Sequence, residues 1–76
     1  MAEEKQVFWL SKPPTRCETC SNDIKSIFYD AKTRMGPWAC MCSMCFYIGP
    51  GIGQLGTGFG QKYELQEDGK WLKTGG

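Results

Sequence analysis

The alternation of apolar and polar residues predicts several short β-strands and very little helix. The first candidate strand is Val7–Leu10, and it must end before Pro13 and Pro14 because proline donates no hydrogen bond to a β-ladder. We expect one domain over residues 7–74, preceded by a flexible, charged lead-in at 1–6.

A hairpin is predicted in the middle of the chain. Residues 25–30 are strand formers, residues 30–33 contain turn formers, and residues 34–41 would form the returning strand. A single turn of helix is expected at 46–48, because a Gly–Pro pair follows these residues and would stop it.

The most regular part of the pattern is a C-terminal hairpin over residues 61–74. Asp68-Gly69 is a strong signal for a two-residue turn. Folding the chain about this turn brings two opposite-charge pairs and one apolar pair into register. The predicted cross-strand pairs are Glu67 with Lys70, Leu65 with Leu72, and Glu64 with Lys73. Residues 75–76 would then form a flexible tail.

A glycine-rich loop, residues 49–60, separates the two hairpins and holds six glycines in twelve positions. Gly51–Gly56 matches the G-x-G-x-x-G pattern of dinucleotide sites, but it lacks the preceding strand and following helix that such a site requires. We therefore interpret the loop as a glycine-permitted backbone path packed closely over a small core.

The cysteines carry the most specific signal in the sequence. Cys17 and Cys20 form one C-x2-C pair, and Cys42 and Cys45 form another. Two such pairs can complete a tetrahedral site with four sulfur ligands, the arrangement typical of structural zinc. An iron site for electron transfer uses the same geometry, and redox-active disulfides are a further alternative.

Cys40 is the cysteine left over from the two pairs. Its simplest interpretation is a small buried side chain at the end of a strand. It is also a candidate alternative ligand, because residues 40 and 42 of an extended chain would face the same side. Since two pairs already fill a tetrahedral shell, the buried interpretation is favoured.

Length and composition limit the function. A chain of 76 residues seldom gains comfortable stability from a hydrophobic core alone, and a metal cross-link is a usual remedy. There is no histidine, no evident nucleophile–base pair, and a closed four-cysteine site has no open position for water, so we expect a non-enzyme.

The odd number of cysteines and the absence of a signal-peptide pattern favour a reducing, cytoplasmic location. No membrane association and no small-molecule substrate are expected.

The formal net charge of the chain is +1. One zinc ion with four thiolates contributes −2, so the metal-loaded chain would carry about −1, unlike a dedicated nucleic-acid binder. A local basic patch remains an alternative, with Trp9, Phe28, Tyr29 and Trp38 as candidate stacking groups. Its candidate basic residues are Lys12, Arg16, Lys25, Lys32 and Arg34. Acidic residues are interleaved with them, which favours an ordinary solvated surface.

A protein-binding surface is the stronger hypothesis. No charged residue occurs from Gly36 to Gln61, while both flanks carry charge freely. Exposed methionine and aromatic side chains on a small rigid module are typical of protein-binding faces. The candidate residues in this segment are Trp38, Met41, Met44 and Phe59.

Three further motifs carry a resemblance to a known group of proteins. They are the turn Asp30–Thr33, the segment Gly36–Ala39, and the stretch Gly56–Tyr63. Together with the two C-x2-C pairs, they resemble small, largely uncharacterised zinc-ribbon-like proteins of bacteriophages. The resemblance covers about residues 7–66 and implies a phage-encoded protein with the two pairs as metal ligands. Cys40 departs from the group's pattern, and the resemblance implies nothing catalytic.

The sequence therefore predicts a small, metal-stabilised, mainly β fold, zinc-ribbon-like, with two β-hairpins, two cysteine knuckles and little helix. We expect a non-catalytic zinc-binding module that binds a protein partner, of the host or a second copy of itself. The alternatives are a nucleic-acid-binding adaptor and a rubredoxin-like iron electron carrier.

Overall fold

The computed structural model describes residues 6–76. Apart from Gln6, the lead-in predicted at 1–6 lies outside these residues. Within them, four strands form one antiparallel sheet, in the spatial order β2-β1-β3-β4, and a single short helix follows β2. The elements are β1 (Ile27–Lys32), β2 (Trp38–Met41), α1 (Ser43–Tyr47), β3 (Gly60–Leu65) and β4 (Trp71–Gly75). The predicted mainly β fold with two hairpins and little helix is confirmed.

The first hairpin turns later than predicted. β1 continues through Lys32, so the expected turn at 30–33 is wrong, and the returning strand covers only Trp38–Met41 rather than 34–41. The strand continues because Ala31 and Thr33 both face inward and are buried. The turn then forms where the Thr33 hydroxyl donates a hydrogen bond of 2.7 Å to the Pro37 carbonyl oxygen.

The second hairpin is shifted by one residue from its predicted register. Leu65 lies opposite Trp71, and Tyr63 lies opposite Lys73, so none of the three predicted pairs forms. The loop has three residues rather than two, because Gly69 takes a left-handed φ of 86° and closes a turn onto the Gln66 carbonyl oxygen at 3.0 Å.

Burial of an aromatic residue explains this shift. A slip of one residue moves every side chain of a strand to the opposite face of the sheet. The predicted register would have placed Trp71 away from Tyr63 and Phe28. In the observed register, the Trp71 ring lies 5.0 Å from the Phe28 ring and is almost completely buried. The apolar area gained outweighs the surface charge pairs that the prediction relied on.

The chain termini of the described region also join the sheet. Val7–Leu10 forms only an isolated bridge, between Phe8 and Leu72, and so lines the outer edge of β4 rather than forming the predicted strand. Gly75 belongs to β4 and pairs with Lys62, so the flexible tail predicted at 75–76 is wrong for that residue.

The single helix in the described residues is not long and apolar enough to cross a membrane.

Both faces of the sheet are covered. On one face, the Tyr29 ring stacks on Phe46 of α1 at 4.3 Å, and Met41 packs beside them. On the other face, Phe28 stacks on Tyr63 at 5.2 Å, with Trp9 of the N-terminal segment against both rings. Since successive residues of a strand point to opposite faces, adjacent residues such as Phe28 and Tyr29 build two separate cores.

The glycine-rich loop packs closely over the first core, as predicted. A Cβ on Gly51 would lie 2.6 Å from the Phe46 backbone, and a Cβ on Gly60 would lie 2.6 Å from the Ala31 side chain. Leu55 of the loop also packs against the first core. Glycine is required at these positions because a side chain at 51 would collide with the backbone of α1, and one at 60 would collide with Ala31 of β1.

Substitution of Trp71 and of Trp38 tests whether Trp71 lies in the core, as the observed register requires. We expect Trp71→Ala to lower the free energy of unfolding by about 3–5 kcal/mol, because the indole fills the core around Phe28. Trp38→Ala is the matched control and should cost less than about 1 kcal/mol, since this indole is 45% exposed. Urea-induced unfolding measures both, and equal losses would contradict the observed register.

Candidate metal centre

The first cysteine pair lies in a tight loop closed by its own backbone. The Cys17 N–H donates to the Asn22 carbonyl oxygen at 2.8 Å, and the Ser21 N–H donates to the Cys17 carbonyl oxygen at 2.9 Å. Ser21 adopts a left-handed φ of 65°, which reverses the chain directly after Cys20. An antiparallel bridge between Arg16 and Asp23 closes the loop at its base.

The second pair lies at the junction of β2 and α1. Cys42 is the residue before the helix, and Cys45 lies in its first turn, three residues further on. Residues at this spacing share one side of a helix, so both thiols can meet the first pair. The helix was predicted at 46–48 and instead covers Ser43–Tyr47, because it begins directly after Cys42 and its Phe46 N–H donates to the Cys42 carbonyl oxygen.

The fold brings the two pairs together. The sulfur atoms of Cys17, Cys20, Cys42 and Cys45 all lie within 4.8 Å of one another. The Cys20 and Cys42 sulfurs are 3.7 Å apart. In a tetrahedral site with metal–sulfur bonds of about 2.3 Å, sulfurs are separated by about 3.8 Å. The chemistry and spacing of the four thiols therefore fit a metal ion, which this cluster could hold.

Glu18 joins the two halves of the centre, a role that the sequence did not reveal. Its backbone N–H donates to the Cys40 carbonyl oxygen at 2.9 Å, and its carboxylate accepts the Cys40 N–H at 2.6 Å. Both bonds run to the outer edge of β2, so the first loop is fastened to the strand that leads into the second pair. A glutamate between two cysteines has no distinguishing pattern, because its partner lies 22 residues away.

Thr19 supports the centre from inside the first loop. Its hydroxyl oxygen lies 3.1 Å from the Cys17 sulfur. Burial alone would raise the pKa of the Cys17 thiol, but hydrogen bonds from Thr19 and from the backbone of Cys42 and Cys20 outweigh it and lower the pKa to about 6. Cys17 is therefore a thiolate at neutral pH even without a metal.

Two thiols of the cluster, Cys20 and Cys45, resist losing their protons. A hydrogen bond with Thr19 favours the Cys45 thiolate, but burial and the neighbouring thiols outweigh it and raise the pKa of Cys45 to about 12. A backbone hydrogen bond from Asn22 lowers the pKa of Cys20, but burial and the neighbouring thiols of Cys17 and Cys42 outweigh it, so the pKa is raised. Four negative charges cannot accumulate here without a cation to neutralise them.

Cys40 stays outside the four-cysteine cluster. It packs against the second core, around Phe28 and Tyr63, on the face of the sheet away from the cluster. Burial, with the nearby carboxylates of Asp30 and Glu18, raises the pKa of Cys40 to about 12. Cys40 is half-buried rather than fully buried, but its packing agrees with the interpretation of a small apolar side chain, and its position gives no support to the alternative-ligand hypothesis.

The candidate binding residues divide between surface and core. Met44 is 68% exposed and Phe59 is 44% exposed, and Trp38 is similarly accessible. Met41 is completely buried in the first core, so its predicted place in a binding surface is wrong. It was misassigned because the strand's alternation turns Met41 inward directly before the cysteine pair.

The five candidate basic residues of a nucleic-acid surface are spread along the chain, with Lys25 exposed just before β1. Lys32 ends β1, Arg34 lies in the following turn, Lys12 lies in the N-terminal segment, and Arg16 pairs with Asp23 at 3.7 Å on the surface. Phe28 and Tyr29 are buried and cannot stack on a base, which corrects their inclusion among the stacking candidates.

Comparisons with known proteins add no assignment. No family model matches the chain, and neither the curated proteins nor the solved structures gave a significant match. The resemblance to bacteriophage proteins therefore stays a prediction.

Metal affinity should depend steeply on pH. The raised pKa values of Cys20 and Cys45 mean that both thiols are protonated near neutrality, so a bound metal must displace at least their two protons. Affinity should therefore rise by at least about 100-fold per pH unit between about pH 6.5 and pH 8, and fall equally as the pH is lowered. Chelator competition at several pH values measures the slope, and a rise below 10-fold would show that the thiols are already ionised.

Proposed function

We propose that this protein is a non-catalytic module in which Cys17, Cys20, Cys42 and Cys45 hold one structural zinc ion, and that the module acts by binding a protein partner. The proposed zinc site is supported by the four free thiols, whose sulfur atoms lie within 4.8 Å of one another. Four protein ligands close a tetrahedral shell and leave no position for a reacting water.

Zinc is proposed over iron for two reasons. Zinc has no redox chemistry and recurs in closed four-cysteine sites of small domains, where it supplies folding free energy. Rubredoxin-like iron loops place glycine after each cysteine pair, whereas Ser21 and Phe46 occupy these positions here. Phe46 is moreover committed to the core through its stack on Tyr29.

The ion's role would be to fasten two sequence-distant segments. One segment is the loop around Cys17, which has no regular strand or helix of its own, and the other is the start of α1. Zinc binding in small domains is worth on the order of 10 kcal/mol near neutral pH. That is comparable with the total stability of a typical domain, so metal loss should release the first loop from the sheet.

The proposed protein-binding surface is the outer side of α1. Met44, Tyr47 and Ile48 follow one another at helical spacing and are all largely exposed, with Ile48 at 78%. The cysteines fix the helix from beneath, so these side chains lose little freedom on binding, and methionine adapts well to a partner's surface. The bacteriophage resemblance makes a bacterial host protein the proposed partner.

Metal content tests the zinc assignment. Native mass spectrometry with elemental analysis should find one zinc per chain, with Cys40 as the one cysteine that does not bind it. Cys45→Ser should lose the metal and unfold at much lower urea concentration, because three thiols cannot close the shell. Cys40→Ser is the matched control and should keep one zinc. Iron in the purified protein, or zinc retained by Cys45→Ser, would refute the assignment.

A charge on the helix surface tests the binding face. Met44→Asp should keep zinc and the fold, because the side chain is exposed, yet it should abolish capture of the partner from host extract by affinity purification. Lys25→Asp, on an exposed residue before β1, is the control and should capture the same protein as the wild type. If Met44→Asp captures that protein equally well, the surface is wrongly placed.

A further inference from the structure

A row of three side chains crosses the sheet at the end remote from the cysteines. Lys32 of β1 lies directly opposite Trp38 of β2. On its other side, the Lys32 N–H donates to the Phe59 carbonyl oxygen at 2.9 Å, which continues the β1–β3 register by one residue beyond Gly60. Residues directly opposite in antiparallel strands share a face, so Trp38 and Lys32 do. The backbone bond places Phe59, directly before β3, in line with them, and we call these three residues the aromatic row.

Both aromatic rings of this row are accessible. Trp38 and Phe59 are each a little under half exposed, and Lys32 between them is also exposed. A Cβ on Gly56 would lie 3.7 Å from the Phe59 ring, so the ring lies against the backbone of the glycine-rich loop. Neighbouring strands are about 4.8 Å apart, which separates the two aromatic positions by roughly 10 Å.

Two cations lie beside the aromatic rings, Lys32 within the row and Arg34 in the turn that follows β1. One carboxylate, Asp30, lies on the same face two residues before Lys32, but burial raises its pKa and so disfavours its negative charge. Within residues 6–76, neither Lys32 nor Arg34 forms an ion pair.

The geometry points to the aromatic row as a binding site for single-stranded nucleic acid. Accessible aromatic rings on a sheet, with cations beside them, suit unpaired bases that stack while the backbone phosphates meet lysine and arginine. A duplex would not fit, because its bases are already stacked on one another. A protein partner fits less well, because Lys32 interrupts the apolar surface between the two rings and would need a carboxylate opposite it.

This site is independent of the proposed protein-binding surface. α1 packs on the face of the sheet that holds Tyr29, whereas the pleat places the aromatic row on the face that holds Phe28. The row also lies at the far end of β2 from Cys42. Loss of one activity by substitution should therefore leave the other intact.

Fluorescence anisotropy with labelled twelve-nucleotide oligo(dT) and oligo(U) tests the proposal on the zinc-loaded chain at low salt. We expect binding of at least one of the two probes, with the corresponding duplex bound at least ten-fold more weakly. Trp38→Ala and Phe59→Ala should each weaken binding by about 10-fold, through the loss of one stacked base. Both positions are exposed, and retained zinc and circular dichroism would confirm that the variants fold.

The salt dependence provides a second readout. Lys32→Gln should reduce the slope of log affinity against log salt concentration by about 0.7, the value for one phosphate contact on a single strand. Lys25→Gln, which removes the same charge at the opposite end of β1, should leave the slope unchanged, and Met44→Asp should leave the affinity unchanged. The proposal is overturned if neither oligonucleotide binds, or if both aromatic variants bind as the wild type does.

Discussion

Four cysteine sulfurs lie within 4.8 Å of one another, and the repulsion that would arise if all four became thiolates is the constraint on which this structure depends. The pKa of Cys17 is lowered by hydrogen bonds from Thr19 and the backbone, whereas the pKa values of Cys20 and Cys45 are raised. A divalent cation would turn this repulsion into attraction and hold the first loop against the start of α1. Glu18 supports the same junction without a metal, through its two bonds to Cys40.

The small hydrophobic core is divided between the two faces of the sheet. Tyr29 and Phe46 stack on one face, and Phe28, Tyr63 and Trp71 pack together on the other. Neither cluster is large, and each is covered by a segment without regular strand structure: the glycine-rich loop with α1, or the N-terminal segment with Trp9. A metal ion that joins the loop around Cys17 to α1 would therefore add stability that these two small clusters cannot supply alone.

Apolar side chains stay exposed at several places, and two of these places lie on opposite faces of the sheet. One is the outer side of α1, with Met44 and Ile48, and the other is the aromatic row of Trp38, Lys32 and Phe59. Their chemistry differs, since the first is uncharged and the second contains a lysine. Two such surfaces on opposite faces would let a 76-residue module hold a protein and a nucleic-acid strand together.

The sequence alone determined the features that depend on local spacing. The four-cysteine set, the mainly β character, the second hairpin and the close-packed glycine loop follow from short patterns such as C-x2-C, Asp68-Gly69 and repeated glycine. Tertiary structure decided the strand registers, because burial of Trp71 and Ala31 outweighed local turn and charge signals. It also buried Met41, recruited Glu18, and aligned Trp38 with Phe59. These outcomes depend on contacts between residues about 12 or more positions apart, which no local pattern contains.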